Sequence, residues 1–470
     1  MSSEQIYDLA VLGAGPGGYA AAIRAAQLGQ KVAIIESEEL GGICLNWGCI
    51  PSKAILRGAE VLTLFQHAKD FGISADNITA DYGVAIERSL KIVNTQTRGV
   101  GFLMRKNKID VVRGWGKLVA KDRIAVSGGA DGDREVRAKN ILIATGSRVR
   151  PLPGVEIDGE HIVSAKEIWG IKTLPKKILI IGAGAIGLEF ATVFGAYGVD
   201  VTVVEFLPRI LPLEDEEMST ELAKQFTRRG IKLLTSTKVD SATVDGDTVT
   251  VKLSPAPGGQ GGPQEMEVDR VMLAAGFQPN SNDIGLEALG VTLNRGFIVA
   301  DDRMQTNVPG IYAIGDVLGK LPLAHTAYAQ AELVAEVIAG NKTHPLDYDA
   351  IPRCTYTHPQ VAAIGKTEAQ AREGGREIKI GKAPFRPNGK AQALGELDGQ
   401  VKIIADAKTG EILGVHMIGA DVTEMIAEFA IARTLEATPH EVAYAVHPHP
   451  TLSEVIAEAA RAVEGQALHL

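Results

Sequence analysis

Residues 6–36 read IYDLAVLGAGPGGYAAAIRAAQLGQKVAIIE. The apolar run from Ile6 to Leu12 predicts a strand, Gly13, Gly15 and Gly18 a tight turn, the Ala-rich stretch a helix, and KVAIIE a second strand. That second strand ends on Glu36, 18 residues beyond Gly18. A lone G-x-G-x-x-G says little. Between a strand and a helix, with an acid about 20 residues on, it is the fingerprint of a dinucleotide site. The glycines let backbone approach a pyrophosphate at the helix N-terminus, and the Glu36 carboxylate is placed to accept ribose hydroxyls. An α/β fold follows.

The pattern then recurs. KKILIIGAGAIGLEFATVFGAYGVDVTVVE at 176–205 repeats strand, glycine turn, helix, strand and acid, with Gly182, Gly184 and Gly187, and Glu205 another 18 residues on. Two bound dinucleotides explain two such units better than one cofactor and an unused copy. Elsewhere the signals are coarser. GGADGD at 128–133 suggests a hairpin ahead of a strand ILIATGS at 141–147, and SPAPGGQGGPQE at 254–265 reads as a hairpin tip. GIYAIGDV at 310–317 predicts a buried strand running into Asp316. From about residue 346 the texture changes to sheet, with helical patterns at 422–437 and after Thr451, as in a separate α+β domain.

A chain of 470 residues exceeds what one core usually serves, so several domains of about 150 residues are expected. Its formal net charge of -9 supplies no basic footprint for nucleic acid or anionic lipid. No stretch reaches the roughly 18 apolar residues of a membrane span, and the acidic start MSSEQIYD lacks a basic leader. These features point to a cytoplasmic protein acting on small molecules. Three cysteines in such a chain do not form a secreted disulfide framework, so a close pair implies redox or metal chemistry.

That pair lies in GGICLNWGCIPSK, residues 41–53. A straight helix would set Cys44 and Cys49 about 140° apart around its axis and about 7.5 Å along it, too far for the usual disulfide. A bridge requires a broken turn, which Gly48 and Pro51 can supply. The residues leave three readings open: a redox-active disulfide, half a zinc site completed by Cys354 and His358, or two inert buried thiols. The redox reading gains from position, since the pair follows closely behind the first dinucleotide fingerprint. No second close cysteine pair supports a metal.

GGICLNWGCIPSK resembles the redox signature of the flavin-dependent pyridine nucleotide-disulfide oxidoreductases, and its wording is nearest to their dihydrolipoamide dehydrogenase branch. The resemblance spans nearly the whole chain, through GAGPGG, ATGS at 144–147, GAGAIGLE, AIGDV, LAH at 323–325 and HPHPTLSE at 447–454. Trp47 and Pro448 depart from it, standing where Val and Ala are familiar. The resemblance implies two Rossmann-like domains and a carboxy-terminal α+β dimerisation domain. Their expected bounds are 1–150 for FAD, 151–278 for NAD, 279–345 for a return to the FAD region, and 346–470 for the interface.

It also implies site residues. For FAD these are Gly13, Gly15, Gly18, Glu36, Gly42, Lys53, Gly116, Thr145, Gly146, Ser147, Asp316, Leu323, Ala324 and His325. For NAD they are Gly182, Gly184, Gly187, Glu189, Glu205, Val239 and Gly276. Lys53 would stand beside the flavin ring with Glu189, placed in the first turn of its helix, as the counterion. By the same resemblance Cys44 is the sulfur that meets substrate, and Cys49 is the one nearer the flavin.

His449 is the expected general base, because an imidazole can take a proton from a dithiol near neutral pH. His447 reads instead as a packing histidine. Glu454 either orients His449 or closes a capping box with Thr451. Glu205 favours NAD over NADP, since it would repel a 2′-phosphate, and so weakens the alternative of a glutathione reductase. No metal is called for. The implied partners are a second copy of the chain, forming a homodimer, and the lipoyl domains of 2-oxo acid dehydrogenase or glycine cleavage complexes.

Overall fold

The computed structural model describes residues 5–129 and 132–470. The chain divides into two compact units. The first comprises Met1–Ile55, Val84–Arg150 and Gly276–Leu346, and the second Leu56–Gly83, Pro151–Ala275 and Asp347–Leu470.

In the first unit, apolar strands build a parallel sheet in the order Asp110–Arg113, Val32–Glu36, Ile6–Leu12, Arg134–Ile143 and Ile311–Ala313. Leu9, Ala10 and Val11 are fully buried, as are Ile141, Leu142 and Ile143, because the helix Pro16–Gln27 and the strand Trp115–Ala120 pack against the sheet. Each buried Leu or Ile contributes about 1.5–3 kcal/mol of burial free energy. Leu12 pairs with Ile35 and Ile143, and Ala313 pairs with Ile143. Their carboxyl ends are therefore level, which is where parallel α/β sheets bind ligands.

The strand expected at 141–147 runs instead from Arg134 to Ile143. Its first residues pair antiparallel with Arg123–Val126, while its last three pair with Ile311–Ala313. It stops at Ile143 because the chain must then turn, with Gly146 at φ 68°. Ala130 and Asp131 of the expected hairpin lie outside the described residues. After the turn, Ser147–Val149 pairs with Phe277–Pro279 in a short antiparallel ribbon. Between the ribbon's strands the chain runs through the second unit over Pro151–Ala275.

The second unit holds its own parallel sheet, ordered Lys232–Leu234, Asp200–Val204, Lys177–Ile181, Arg270–Leu273 and Ile162–Ser164. A three-stranded antiparallel sheet, Thr237–Asp245, Thr248–Pro255 and Gln264–Val268, contains the expected hairpin tip. Carboxy-terminal residues form a five-stranded antiparallel sheet centred on Ile412–Gly419. The helix Glu454–Val463 packs Val455, Ile456 and Ala459 into the same core as Ile403, Val415 and Met417.

Candidate functional site

The two glycine turns repeat each other bond for bond. Gly13 donates to the Ile35 carbonyl and Gly182 to that of Val204, both at 2.8 Å. Their φ values, 100° and 105°, are ones only glycine adopts readily. A Cβ on Gly18 would lie 1.9 Å from the Gly13 carbonyl oxygen, and one on Gly187 would lie 2.0 Å from that of Gly182. Glu36 accepts the N–H of Ala14 at 2.7 Å and of Glu38 at 2.7 Å. Glu205 likewise accepts Ala183 at 2.7 Å and Leu207 at 2.8 Å. Each acid thus braces its own turn through both oxygens, which keep lone pairs for a ribose hydroxyl.

The helices that follow, Pro16–Gln27 and Ala185–Ala196, begin at Gly15 and Gly184 with no side-chain cap and no acid in the first turn. Uncapped N–H groups at a dipole's positive end suit a pyrophosphate. In the first unit a second helix, Ala324–Ile338, starts uncapped at Leu323. Tyr19 meets Tyr328, and Arg24 meets Glu336, so these two helices run parallel and their N-termini share one end. Thr326, in the second helix's first turn, is 1% exposed, and its hydroxyl lacks a hydrogen-bond partner among the described residues. Gly42 faces Gly15 so closely that a Cβ on it would come within 2.7 Å of the Gly15 Cα. This backbone-lined cradle fits FAD.

Around it stand the other first-unit candidates. Ser147 Oγ donates to Asp316 Oδ2 at 2.7 Å, and burial raises the Asp316 pKa against that bond. Asn280 donates to the carbonyls of Thr145 and Ser147 and accepts Thr145 Oγ1 through its own carbonyl. Gly116 lies in a strand where a Cβ would strike Leu12 Cδ1 at 2.4 Å. Gly276, expected at the NAD site, opens the ribbon and accepts Arg150 N–H at 3.0 Å.

The cysteines sit at the expected break. A short helix Gly42–Asn46 ends at Trp47, and a long one begins at Cys49. Gly48 approaches so tightly that its Cβ would be 3.2 Å from the Cys44 Cα. The two side chains share a hydrogen bond and are not joined as a disulfide. That bond first, then burial and the charge of Cys49, push the Cys44 thiol upward, while Lys53 opposes them.

In the second unit, Glu189 is 4% exposed and accepts the Tyr356 N–H at 3.1 Å. It is not in its helix's first turn, as the sequence suggested, because the helix starts at Ala185. Glu189 is the fifth residue, one turn deeper. Val239 is a buried strand residue beside a bulge.

His449 Nδ1 bonds Glu454 Oε1 at 2.8 Å, and its side chain is 77% exposed. The other oxygen, Oε2, accepts Thr451 N–H at 2.9 Å. Burial raises the Glu454 pKa, but these two bonds outweigh it and hold the carboxyl below its usual range. His447 uses both ring nitrogens, on Ala445 O and Glu428 Oε1, and its side chain is only 8% exposed. Only His449 of the pair presents an imidazole edge outward.

Sequence reasoning missed Asn280, Thr326 and the hydroxyl pair of Tyr19 and Tyr328, 2.5 Å apart. Burial, before any other cause, raises both phenols, and both feel Cys44. Among the described residues no group of three or more His, Cys, Asp and Glu side chains could hold a metal ion. Nor is any described helix long and apolar enough to cross a membrane.

Residues 7–331 match the family described as pyridine nucleotide-disulphide oxidoreductase, and residues 351–460 match its dimerisation domain. The chain belongs to the pyridine nucleotide-disulphide oxidoreductases. Within this family it is 46% identical to the dihydrolipoyl dehydrogenase of Rhizobium etli, across 98% of this chain and 99% of that one. It is 49% identical to the dihydrolipoyl dehydrogenase of Mycobacterium leprae, across 96% and 97%. Among solved oxidoreductase structures, LpdA of Mycobacterium tuberculosis matches with a TM-score of 0.90 at 29% identity, covering 96% of this chain and 98% of that one. The HOCl-induced flavoprotein disulfide reductase RclA of Escherichia coli matches at 0.85 and 26%, covering 97% and 99%.

Proposed function

We propose that this protein is an FAD-dependent dihydrolipoyl dehydrogenase that oxidises protein-bound dihydrolipoamide to lipoamide and reduces NAD+ to NADH. The observation that carries the reading is the Cys44–Cys49 pair, set at a helix break behind the first dinucleotide cradle. Its likeness to curated dihydrolipoyl dehydrogenases along almost its full length supports the choice of substrate.

Bound FAD supplies a two-electron relay between a dithiol and a nicotinamide. The chain's own residues do the rest. Gly13, Gly15, Gly18, Gly42 and the Ala324 helix would hold FAD, with Glu36 to accept ribose hydroxyls and Asp316, fixed by Ser147, to meet the ribitol. Gly182, Gly184, Gly187 and Glu205 hold NAD, and Glu205 disfavours an NADPH-driven reductase such as glutathione reductase. Lys53 would supply a positive charge to the reduced flavin, and Glu189 is the carboxylate proposed to balance it.

His449 Nε2 takes a proton from one substrate thiol, while Glu454 fixes the ring through Nδ1. The substrate thiolate attacks Cys44 Sγ in the disulfide form, the Cys44–Cys49 bond breaks, and Cys49 leaves as a thiolate. The second substrate thiol attacks the substrate sulfur of the mixed disulfide, and its proton goes to the Cys44 sulfur that it displaces. Lipoamide departs and Cys44 is released. Two electrons and two protons have then left the substrate, and the cysteines hold the electrons.

In this reading the working molecule is a homodimer joined through its carboxy-terminal domain, each His449 serving the cysteines of the other subunit. Its partners are lipoyl domains of 2-oxo acid dehydrogenase or glycine cleavage complexes, and it acts in the cytoplasm. Anaerobic titration with dihydrolipoamide tests the core claim. A long-wavelength thiolate-to-flavin band is expected, lost as NADH forms on adding NAD+. A flavoprotein whose spectrum ignores the dithiol would overturn the assignment.

A further inference from the structure

Trp47 lies inside the cysteine motif and has no part in the chemistry above. Its backbone, at φ -146° and ψ 11°, ends the short helix carrying Cys44 two residues before Cys49 begins the next. Its indole packs on Phe277, with ring centroids 6.5 Å apart and planes tilted 30°. Both residues belong to the first unit.

Phe277 is well anchored. It opens the strand Phe277–Pro279, in register with Val149, Arg148 and Ser147. Ser147 is held by Asp316, and Asn280 bonds the carbonyls of Thr145 and Ser147. Trp47's neighbour is fixed too, since Asn46 Nδ2 donates to the Leu40 and Gly42 carbonyls and Asn46 Oδ1 accepts Thr97 Oγ1. The one irregular step between the cysteines is thus clamped by side-chain hydrogen bonds at Asn46 and by an aromatic contact at Trp47.

We infer that Trp47 is a positioning residue for thiol–disulfide exchange, its ring braced on Phe277 so that the broken turn holds the two sulfurs at bonding geometry. The geometry matters because straight helical spacing would part them, and a strained disulfide is more oxidising than a relaxed one. The aromatic pair also makes the cysteine couple sensitive to the ribbon through which the chain leaves for residues 150–276 and returns. This inference rests on the redox reading of Cys44 and Cys49.

The test uses the flavin-loaded full chain and its Trp47→Leu, Trp47→Phe, Phe277→Leu and Trp47→Leu/Phe277→Leu variants. The Cys44–Cys49 equilibrium is measured against glutathione buffers by trapping free thiols, with flavin content as the control for folding. Trp47→Leu and Phe277→Leu are each expected to shift the equilibrium constant about tenfold, some 30 mV for a two-electron couple, toward the dithiol. Trp47→Phe restores most of the wild-type value, and the double variant is no worse than the worse single one. Unshifted single variants, or strictly additive effects, would overturn the brace. Wild-type protein that forms the disulfide yet ignores dihydrolipoamide would sink the proposed function while leaving the brace testable.

Discussion

Glu454 divides its two oxygens between His449 and the backbone: Oε1 meets Nδ1 at 2.8 Å, and Oε2 takes the Thr451 N–H at 2.9 Å. One carboxylate therefore orients the imidazole and secures the turn into its own helix. His449→Gln is expected to slow the dithiol half-reaction by about 10²–10⁴ with flavin content unchanged. Glu454→Gln, able to offer only one carbonyl oxygen, loses less. Stopped-flow reduction by dihydrolipoamide measures both, and an unaltered His449→Gln rate removes the imidazole from the reaction.

Cys49→Ser separates the thiol path from the flavin path. Dithiol-driven NAD+ reduction is expected to vanish while NADH-to-dye transfer survives. Loss of both activities, with flavin released, would mark Cys49 as structural.

The matched turns predict matched failures with different cofactors. In Gly18→Ala the new methyl falls 1.9 Å from the Gly13 oxygen, and in Gly187→Ala 2.0 Å from that of Gly182. The first variant is expected to purify with little flavin. The second keeps its flavin, but its KM for NADH rises at least about tenfold, as for any lost contact of about 1.4 kcal/mol. Flavin absorbance and NADH kinetics distinguish them.

Lys402 is 1% exposed and bonded to Asp215, Glu217 and Glu368 at 3.0, 2.9 and 2.7 Å. Lys402→Met is expected to cost about 3–5 kcal/mol, because Asp215 stays buried without its partner. For Asp215 and Glu217 burial is the largest influence, yet their cationic and N–H partners outweigh it. For Glu368 the Lys402 bond leads, so all three carboxyls sit below their usual range. Their contribution is complete above the unfolded value near pH 4 and is lost as pH falls through the lower folded values. Buried His416 is lowered by desolvation, so its neutral form adds stability above about pH 6.5 that fades with acid. Thermal melts from pH 7 to 2 should show the wild-type and Lys402→Met curves keeping their separation down to about pH 4 and converging below it. Parallel curves would mean that the cluster does not couple to protons.

The dinucleotide turns are legible in the sequence because each is local: strand, glycines, helix and acid lie within some thirty residues, and steric exclusion leaves no other residue type. The cysteine break is legible for the same reason, through Gly48. Glu189 reads one turn too shallow because a helix start is set by the backbone of Gly184, which the residue letters do not fix. The strand ending at Ile143 hides its true start because its first half is drawn out by a hairpin. Lys402 and His416 sit in runs, QVKIIAD and ILGVHMIG, whose apolar neighbours announce burial but not the carboxylates that make a buried charge tolerable. Asp215 and Glu217 lie nearly two hundred residues from Lys402, and no spacing rule reaches them.

The strand Arg134–Ile143 completes its edge with Ile311–Ala313, residues made long after it, whereas the second parallel sheet lies wholly within residues 162–273. A ribosome extruding this chain can release the finished second sheet before the first one has its last strand. Order of synthesis and order of completion are thus reversed. A nascent chain stalled near residue 275 would carry the glycine turn and both cysteines, yet have neither Asp316 nor the Ala324 helix of the proposed flavin site.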